Sequence, residues 1–115
     1  MAFTEQERAR IEASLDRFLE VERPPPHIRP KLDLGYRVEG QSVEILEIRP
    51  SYLDPEVLSK MPVAKATFVR TRNVWNVYWP TQHGGWRFYG PRPTAKTLDL
   101  FLDEVGRDPY GCFFG

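Results

Sequence analysis

Cysteine is almost missing from this sequence, because Cys112 is the only one among 115 residues. An intrachain disulfide is therefore excluded, and a lone thiol is typical of a reducing compartment. Long apolar runs are missing too, since none approaches the roughly 20 residues that a membrane-spanning helix needs. The first ten residues, MAFTEQERAR, lack the apolar segment of a secretory signal. We therefore expect a cytoplasmic protein with no membrane partner.

Metal-binding and cofactor-binding motifs are also missing. The candidate zinc ligands are His27, His83 and Cys112, and no CxxC or HxxxH spacing joins them. The sequence contains neither a phosphate-binding loop nor a dinucleotide-binding fingerprint. We therefore predict no cofactor, no metal site and no catalytic residue.

A magnesium-dependent nuclease is one enzymatic alternative. Asp33, Glu44 and Glu47 fall on neighbouring predicted strands, and carboxylates are the ligands that Mg²⁺ prefers. The segment ending at Arg49 is similar to the acidic-x-Lys end of a nuclease strand. Arginine replaces the lysine here and cannot act as a base, so the sequence favours a protein that is not an enzyme.

Acidic residues are missing from a long central segment. Residues 57–98 carry seven basic side chains and no acidic one, whereas residues 1–56 have a net charge of −4 and residues 99–115 of −3. Such asymmetry is typical of a phosphate-facing surface, and equally of acidic helices that pack near a basic sheet. Both interpretations stay open at this point.

Apolar periodicity predicts a helix at each end of the chain. Residues 4–7 fit a capping box, and the first helix must end near Arg23 because three prolines follow. The last helix is capped by Thr94 or Thr97 and ends at Gly106.

Alternating polarity predicts strands between these helices. Residues 32–38 and 43–48 form a hairpin, with a bulge near residues 45 and 46. That bulge places two pairs of opposite charge across the hairpin: Arg37 with Glu44, and Asp33 with Arg49. Asp54 opens a short helix that ends before Pro62. Three strands follow at residues 63–71, 74–79 and 86–89, the first two joined by a tight turn at Arg72 and Asn73.

The predicted fold class is therefore α+β. A single domain, residues 1–115, contains an antiparallel sheet of about five strands in two hairpin units. The N-terminal and C-terminal helices pack on one face of this sheet.

The aromatic residues of the last three strands divide between the two faces of the sheet. Pairing Trp79 with Trp86 assigns seven residues to the core: Ala66, Phe68, Trp75, Val77, Trp79, Trp86 and Phe88. The opposite face then carries Lys65, Tyr78, Arg87 and Tyr89. Together with Arg70 and Arg72, these four residues form the predicted binding face.

Three blocks of the sequence resemble one protein family. They are ERPPPHIRPKLDLGYRVEGQSVEILEIRP at residues 22–50, PVAKATFVRTRNVWNVYW at residues 62–79 and DPYGCFFG at residues 108–115. In this order they resemble a family of short bacterial proteins that is classed as a domain of unknown function, number 3024 in that series. The resemblance implies a bacterial, cytoplasmic, single-domain protein, and it brings no activity, cofactor or catalytic residue.

Three functions follow as hypotheses. The first is a non-enzymatic binding module for a protein partner or a second copy of the chain, which uses an exposed sheet edge and the aromatic tail residues Tyr110, Phe113 and Phe114. The alternative is a nucleic-acid-binding module that uses the basic, tyrosine-bearing sheet face. The second alternative is the magnesium-dependent nuclease.

Overall fold

Two helices and six strands form residues 2–115, which are the residues that the computed structural model describes. In chain order they are α1 (Glu5–Glu22), β1 (Asp33–Glu39), β2 (Ser42–Pro50), β3 (Leu58–Val69), β4 (Val74–Pro80), β5 (Trp86–Phe88), β6 (Thr94–Ala95) and α2 (Leu98–Arg107). The strands form one sheet in the order β1-β2-β3-β4-β5, and β6 also pairs with β4. Every pair of neighbouring strands is antiparallel. The predicted α+β fold is confirmed; Met1, the first residue of the predicted domain, lies outside the described residues.

Helix α1 begins and ends where the sequence predicts. The Thr4 hydroxyl accepts from the Glu7 backbone N–H at 3.1 Å, and the Glu7 carboxylate accepts from the Thr4 N–H at 2.9 Å. These two bonds complete the capping box. Arg23 ends the helix in an extended conformation directly before Pro24.

Helix α2 runs past its predicted end. Thr97, one of the two predicted caps, starts the helix, and Asp108 rather than Gly106 adopts the left-handed conformation at its end, with φ 40°. Gly106 has a different role, since a Cβ there would lie 2.8 Å from Oε1 of Glu22 in α1. The glycine therefore leaves room for the end of the Glu22 side chain.

Both helices cover one face of the sheet, which we call the inner face, and the opposite side is the outer face. The central buried residues, each at most 8% exposed, are Ile11, Leu15, Phe18, Val43, Ile45, Ala64, Ala66, Val77, Phe101, Leu102 and Val105. Burial of one large apolar side chain is worth about 2 kcal/mol, so this layer stabilises the fold. As predicted, Phe68, Trp75 and Trp79 belong to this core or pack against it.

The hairpin of β1 and β2 contains one of the two predicted charge pairs. Arg37 lies opposite Glu44 and donates to its carboxylate at 2.8 Å. Asp33 does not face Arg49; it accepts two bonds from Arg23, at 2.7 and 2.8 Å. The predicted pair of Asp33 with Arg49 is wrong because the register between β1 and β2 is continuous.

The predicted bulge lies one strand further along, in β3. Ile45 faces Ala64 and Leu46 faces Pro62, so Val63 is the extra residue. Ala64 directs its backbone groups toward β2, and in a regular strand the residue two positions away does the same. Without the extra residue, Pro62 would therefore face β2 although it has no N–H to donate. The bulge turns the proline nitrogen away from β2. The register shift therefore lies at the predicted place, between Ile45 and Leu46. The extra residue belongs to β3 and not to β2, and Pro62 explains this difference.

The predicted short helix at Asp54 is a turn, and β3 begins directly after it. The Asp54 carbonyl accepts from the Val57 N–H at 3.0 Å, and its carboxylate accepts from a second N–H at 3.1 Å. Aspartate caps turns by the same chemistry as helices, which explains the error. The β2–β3 hairpin extends beyond its neighbours, since β1 pairs only as far as Ile48 and β4 only as far as Lys65. We call residues 49–60 the hairpin arm.

The turn between β3 and β4 spans residues 70–73 instead of the two predicted residues. Val69 pairs with Val74, so the register differs from the predicted one by two residues. Such a shift leaves every side chain on its predicted face. Lys65 and Tyr78 are therefore directly opposite each other on the outer face.

Candidate binding surfaces

The register of β4 and β5 decides which aromatic side chains reach the outer face. Trp86 lies opposite Pro80 and Phe88 opposite Tyr78, one residue away from the predicted pairing of Trp86 with Trp79. A shift of one residue turns every side chain of a strand to the other face. Trp86 and Phe88 therefore lie on the outer face, where Phe88 is 55% exposed, and their predicted place in the core is wrong.

Tyr89 lies in the core, so its predicted place on the binding face is also wrong. Its side chain is fully buried, its ring centroid is 4.7 Å from that of Phe113, and its hydroxyl donates to the Glu104 carboxylate at 2.7 Å. Burial, together with the bond to Glu104, raises the pKa of Tyr89 well above its usual range. Tyr89 therefore joins the end of β5 to α2 and contacts no solvent.

Two of the predicted arginines, Arg72 and Arg87, are exposed, but strand pairing places neither of them on the outer face. Arg87 lies directly opposite Trp79 in β4, so both side chains are on the inner face. Arg72 lies in the turn between β3 and β4. Of the predicted binding face, Lys65 and Tyr78 are therefore the members that the sheet brings together on its outer side.

Arg70, in the same turn, forms an ion pair with the start of α1. Its guanidinium donates to the Glu7 carboxylate at 2.7 and 2.9 Å and to the Ala2 carbonyl at 3.3 Å. The bond from Arg70, followed by that from the Thr4 N–H, lowers the pKa of Glu7 from its ordinary 4.5 to about 2. Arg70 therefore connects the β3–β4 turn to α1.

Replacing Glu7 by glutamine is expected to flatten the acid limb of the stability curve. A carboxyl group with a lowered pKa in the folded chain stabilises it above the unfolded pKa, and this contribution is lost as the pH falls toward the folded pKa. For Glu7 the window runs from 4.5 down to about 2. Glutamine preserves the capping box but does not titrate. Urea midpoints across this window test the prediction, and an identical pH dependence in wild type and E7Q would contradict it.

Four residues of three strands form a cluster on the outer face, and we call Lys65, Tyr78, Trp86 and Phe88 the outer aromatic cluster. The ring centroids of Tyr78 and Phe88 are 4.8 Å apart, with 31° between the planes. Lys65 Nζ lies 5.7 Å from the Tyr78 centroid and 5.6 Å from the Trp86 centroid, within the range of a cation–π contact. The cluster faces solvent because both helices lie on the inner side.

Asp108 holds the C-terminal tail against the core. Its carboxylate oxygens accept from the N–H groups of Phe113 and Phe114 at 3.1 and 2.9 Å, and its carbonyl accepts from the Gly111 N–H at 3.1 Å. Phe113 is 5% exposed, so the prediction that it contacts a partner is wrong. Tyr110 and Phe114 are exposed, and a partner contact through them stays a prediction.

The first part of β3 has a partner strand on one side only. The Val57 carbonyl accepts from the Ser51 N–H of the facing chain at 2.7 Å. Odd-numbered residues of this stretch therefore direct their backbone groups toward β2, and the even-numbered ones point away. Within the described chain, the outward groups of Leu58, Lys60 and Pro62 have no strand beside them. We call residues 58–62 the free edge of β3.

A cleft of about 660 Å³ opens beside this free edge. Its walls are residues 61–63 of β3, the end of β4 with the loop that follows it, and the tail of residues 111–115, with Glu47 at one side. The end of β4 and the loop contribute Pro80, Thr81, Gln82 and Gly84. The volume lies within the range of ligand pockets, about 300–1,000 Å³. The sequence did not indicate this cleft, because the predicted helix at Asp54 covers the residues that form the edge.

The carboxylates considered for a magnesium site are held by three different arginines. Each accepts from its own partner: Asp33 from Arg23, Glu44 from Arg37, and Glu47 from Arg49. Among residues 2–115, no three His, Cys, Asp or Glu side chains lie close enough together to hold a metal ion. In the same part of the chain, neither helix has the length and apolar character to cross a membrane.

A family model matches nearly the whole chain. It is the model of the domain of unknown function DUF3024, and the match covers residues 3–115. The search of curated proteins and the search of solved structures give no match. The resemblance of the three sequence blocks is confirmed, and the chain belongs to the DUF3024 family.

Proposed function

We propose that this protein is a binding module that takes an extended segment of a partner protein along the free edge of β3. The observation that carries the proposal is an unpaired strand edge beside a cleft. Strand addition obtains affinity from main-chain hydrogen bonds and specificity from pockets for alternate side chains. The free edge and the cleft supply these two elements side by side.

The backbone of the free edge is arranged for main-chain recognition. The N–H groups of Leu58 and Lys60 and the carbonyls of Leu58, Lys60 and Pro62 point away from β2 in one row. Groups two residues apart repeat at the spacing of a strand. An extended partner segment can therefore bond to this row in register.

Apolar side chains around the edge favour an apolar partner segment. Met61 is 62% exposed, and together with Phe114 it lines the cleft. Exposed apolar residues continue along the hairpin arm at Leu58, Leu53 and Tyr52. Grouped apolar exposure of this kind marks interaction surfaces, and a partner side chain in the cleft gains about 25 cal/mol per Å² of apolar surface buried.

The edge of β1 is the other long edge of the sheet and is less suited to strand addition. Asp33, Arg37 and Glu39 lie along it, and charged side chains protect edge strands from pairing. The free edge of β3 contains a single charged residue, Lys60. The distribution of charge therefore favours β3 as the receiving strand.

Proline at position 60 is expected to weaken partner binding while the sheet stays intact. Lys60 directs its N–H away from β2, so K60P removes a donor of the free edge without interrupting the β2 ladder. Peptides selected on the wild-type protein from a phage-displayed random library are expected to bind K60P about tenfold more weakly. Fluorescence anisotropy with the labelled peptides measures the difference.

K60Q is the matched control, because it removes the charge and keeps the N–H. It is expected to bind the selected peptides like the wild type, and thermal unfolding checks that both variants are folded. A library without enriched peptides, or peptides that bind all three proteins equally, would end the proposal. A concentration-dependent dimer in light scattering that disappears in K60P would identify a second copy as the occupant instead.

A further inference from the structure

We infer that the outer aromatic cluster is a stacking site for the unpaired bases of single-stranded nucleic acid. None of its four residues belongs to the free edge of β3, so the inference is independent of peptide binding. Proteins bind single strands by stacking bases on aromatic side chains of a sheet and by placing cations beside them for the phosphates. The cluster combines three rings and an ammonium group on one open sheet face.

Strand pairing fixes the cluster in place. Lys65 is directly opposite Tyr78, and Tyr78 is directly opposite Phe88, so their Cβ atoms are about 4.5–5.5 Å apart. Trp86 lies two residues before Phe88, on the same face of β5. Groups that are already positioned lose little conformational entropy when a ligand binds.

The Phe88 ring is the accessible position of the cluster. It is 55% exposed, whereas Tyr78, Trp86 and Lys65 are half-buried. Cross-strand packing covers one side of the Phe88 ring against Tyr78, and the remaining ring surface faces solvent. A base stacked on Phe88 covers this surface.

The charges around the cluster favour a polyanion. The ammonium group of Lys65 is held beside two rings. The acid opposite Lys65 is Glu44, whose carboxylate accepts from Arg37 at 2.8 Å. Residues 57–98, the segment that contains Lys65, supply no acidic side chain. A phosphate near Lys65 therefore meets no carboxylate from this segment.

Titration of the protein with fluorescein-labelled oligothymidylate tests the inference. The wild type is expected to bind at low salt, with a Kd that rises as salt is added. F88L keeps an apolar side chain and removes the ring, so its Kd is expected to rise about tenfold. K65Q is expected to lower the slope of log Kd against log salt by about 0.7, the value for one phosphate contact with a single strand.

R87Q is the matched control. It removes an exposed cation from β5, the strand of Trp86 and Phe88, but Arg87 does not lie on the outer face. Its Kd is expected to equal that of the wild type. An abasic oligonucleotide of the same length is expected to bind more weakly than oligothymidylate. The inference is overturned by a wild type that does not bind at low salt, by equal binding of the abasic probe, or by an unchanged Kd in folded F88L.

Discussion

Replacing Tyr89 by alanine is expected to lower the free energy of unfolding by about 3–5 kcal/mol. The side chain is fully buried, so its removal leaves a cavity between β5, α2 and the tail. The substitution also takes the hydroxyl donor from the Glu104 carboxylate, which is 2.7 Å away and 6% exposed. Glu104 keeps its bond from Arg107 through Oε1, but Oε2 loses its donor, which adds a cost of its own. Urea unfolding followed by circular dichroism measures the loss, which is a large part of the roughly 5–15 kcal/mol of a small domain.

Two further variants separate the contributions to this loss. Y89F keeps the ring and removes only the hydroxyl, so about 1–3 kcal/mol is expected. F88A, at the neighbouring position, is expected to cost less than about 1 kcal/mol because the ring lies on the outer face. If F88A proved the more destabilising of the two alanine variants, the register with Trp86 opposite Trp79 would be correct.

The alternation of residues 86–89 predicts which side chains share a face but not which face that is. Trp86 and Phe88 share one face and Arg87 and Tyr89 the other in either register. Each set contains an aromatic ring that a core accepts, so hydrophobicity does not choose between them. The predicted faces of β5 were therefore inverted: Trp86 and Phe88 lie on the outer face and Tyr89 in the core, whereas Tyr78 in β4 lies on its predicted face.

The conformation of the loop between β4 and β5 determines the register of these two strands, and with it the face on which each side chain lies. The Thr81 N–H donates to the Gly85 carbonyl at 2.8 Å, and the Thr81 hydroxyl accepts from the Gly85 N–H at 3.2 Å. Gly84 adopts φ 86° within this loop, a conformation that suits glycine. The register thus depends on a loop conformation of several residues, and single-residue preferences do not determine it.

Features that depend on one or two neighbouring residues were predictable. The capping box at Thr4 and the stop before Pro24 are of this kind. The charge pair of Arg37 and Glu44 was also predicted, because the short hairpin turn fixes which residues face each other close to it. Pro62 carried a further local signal, because a proline inside a paired strand must turn its nitrogen outward. Used in that way, it would have located both the bulge and the free edge of β3.

Phe113 and Phe114 are adjacent, and only the first is expected to stabilise the fold strongly. F113A is expected to cost about 3–5 kcal/mol of unfolding free energy, because the ring is 5% exposed and lies 4.7 Å from that of Tyr89. F114A, at an exposed position on the wall of the cleft, is expected to cost less than about 1 kcal/mol. Urea unfolding of the two variants gives the comparison.

The same pair of variants also separates stability from binding. Both backbone N–H groups bond to Asp108, and alanine preserves those bonds, so the difference between the variants reports on the side chains alone. The Phe114 ring lines the cleft. F114A is therefore expected to bind the peptides selected on the wild-type protein more weakly, while the fold remains intact. If F113A and F114A had the same free energy of unfolding, the tail would not pack into the core. Phe113 would then again be a candidate for a partner contact.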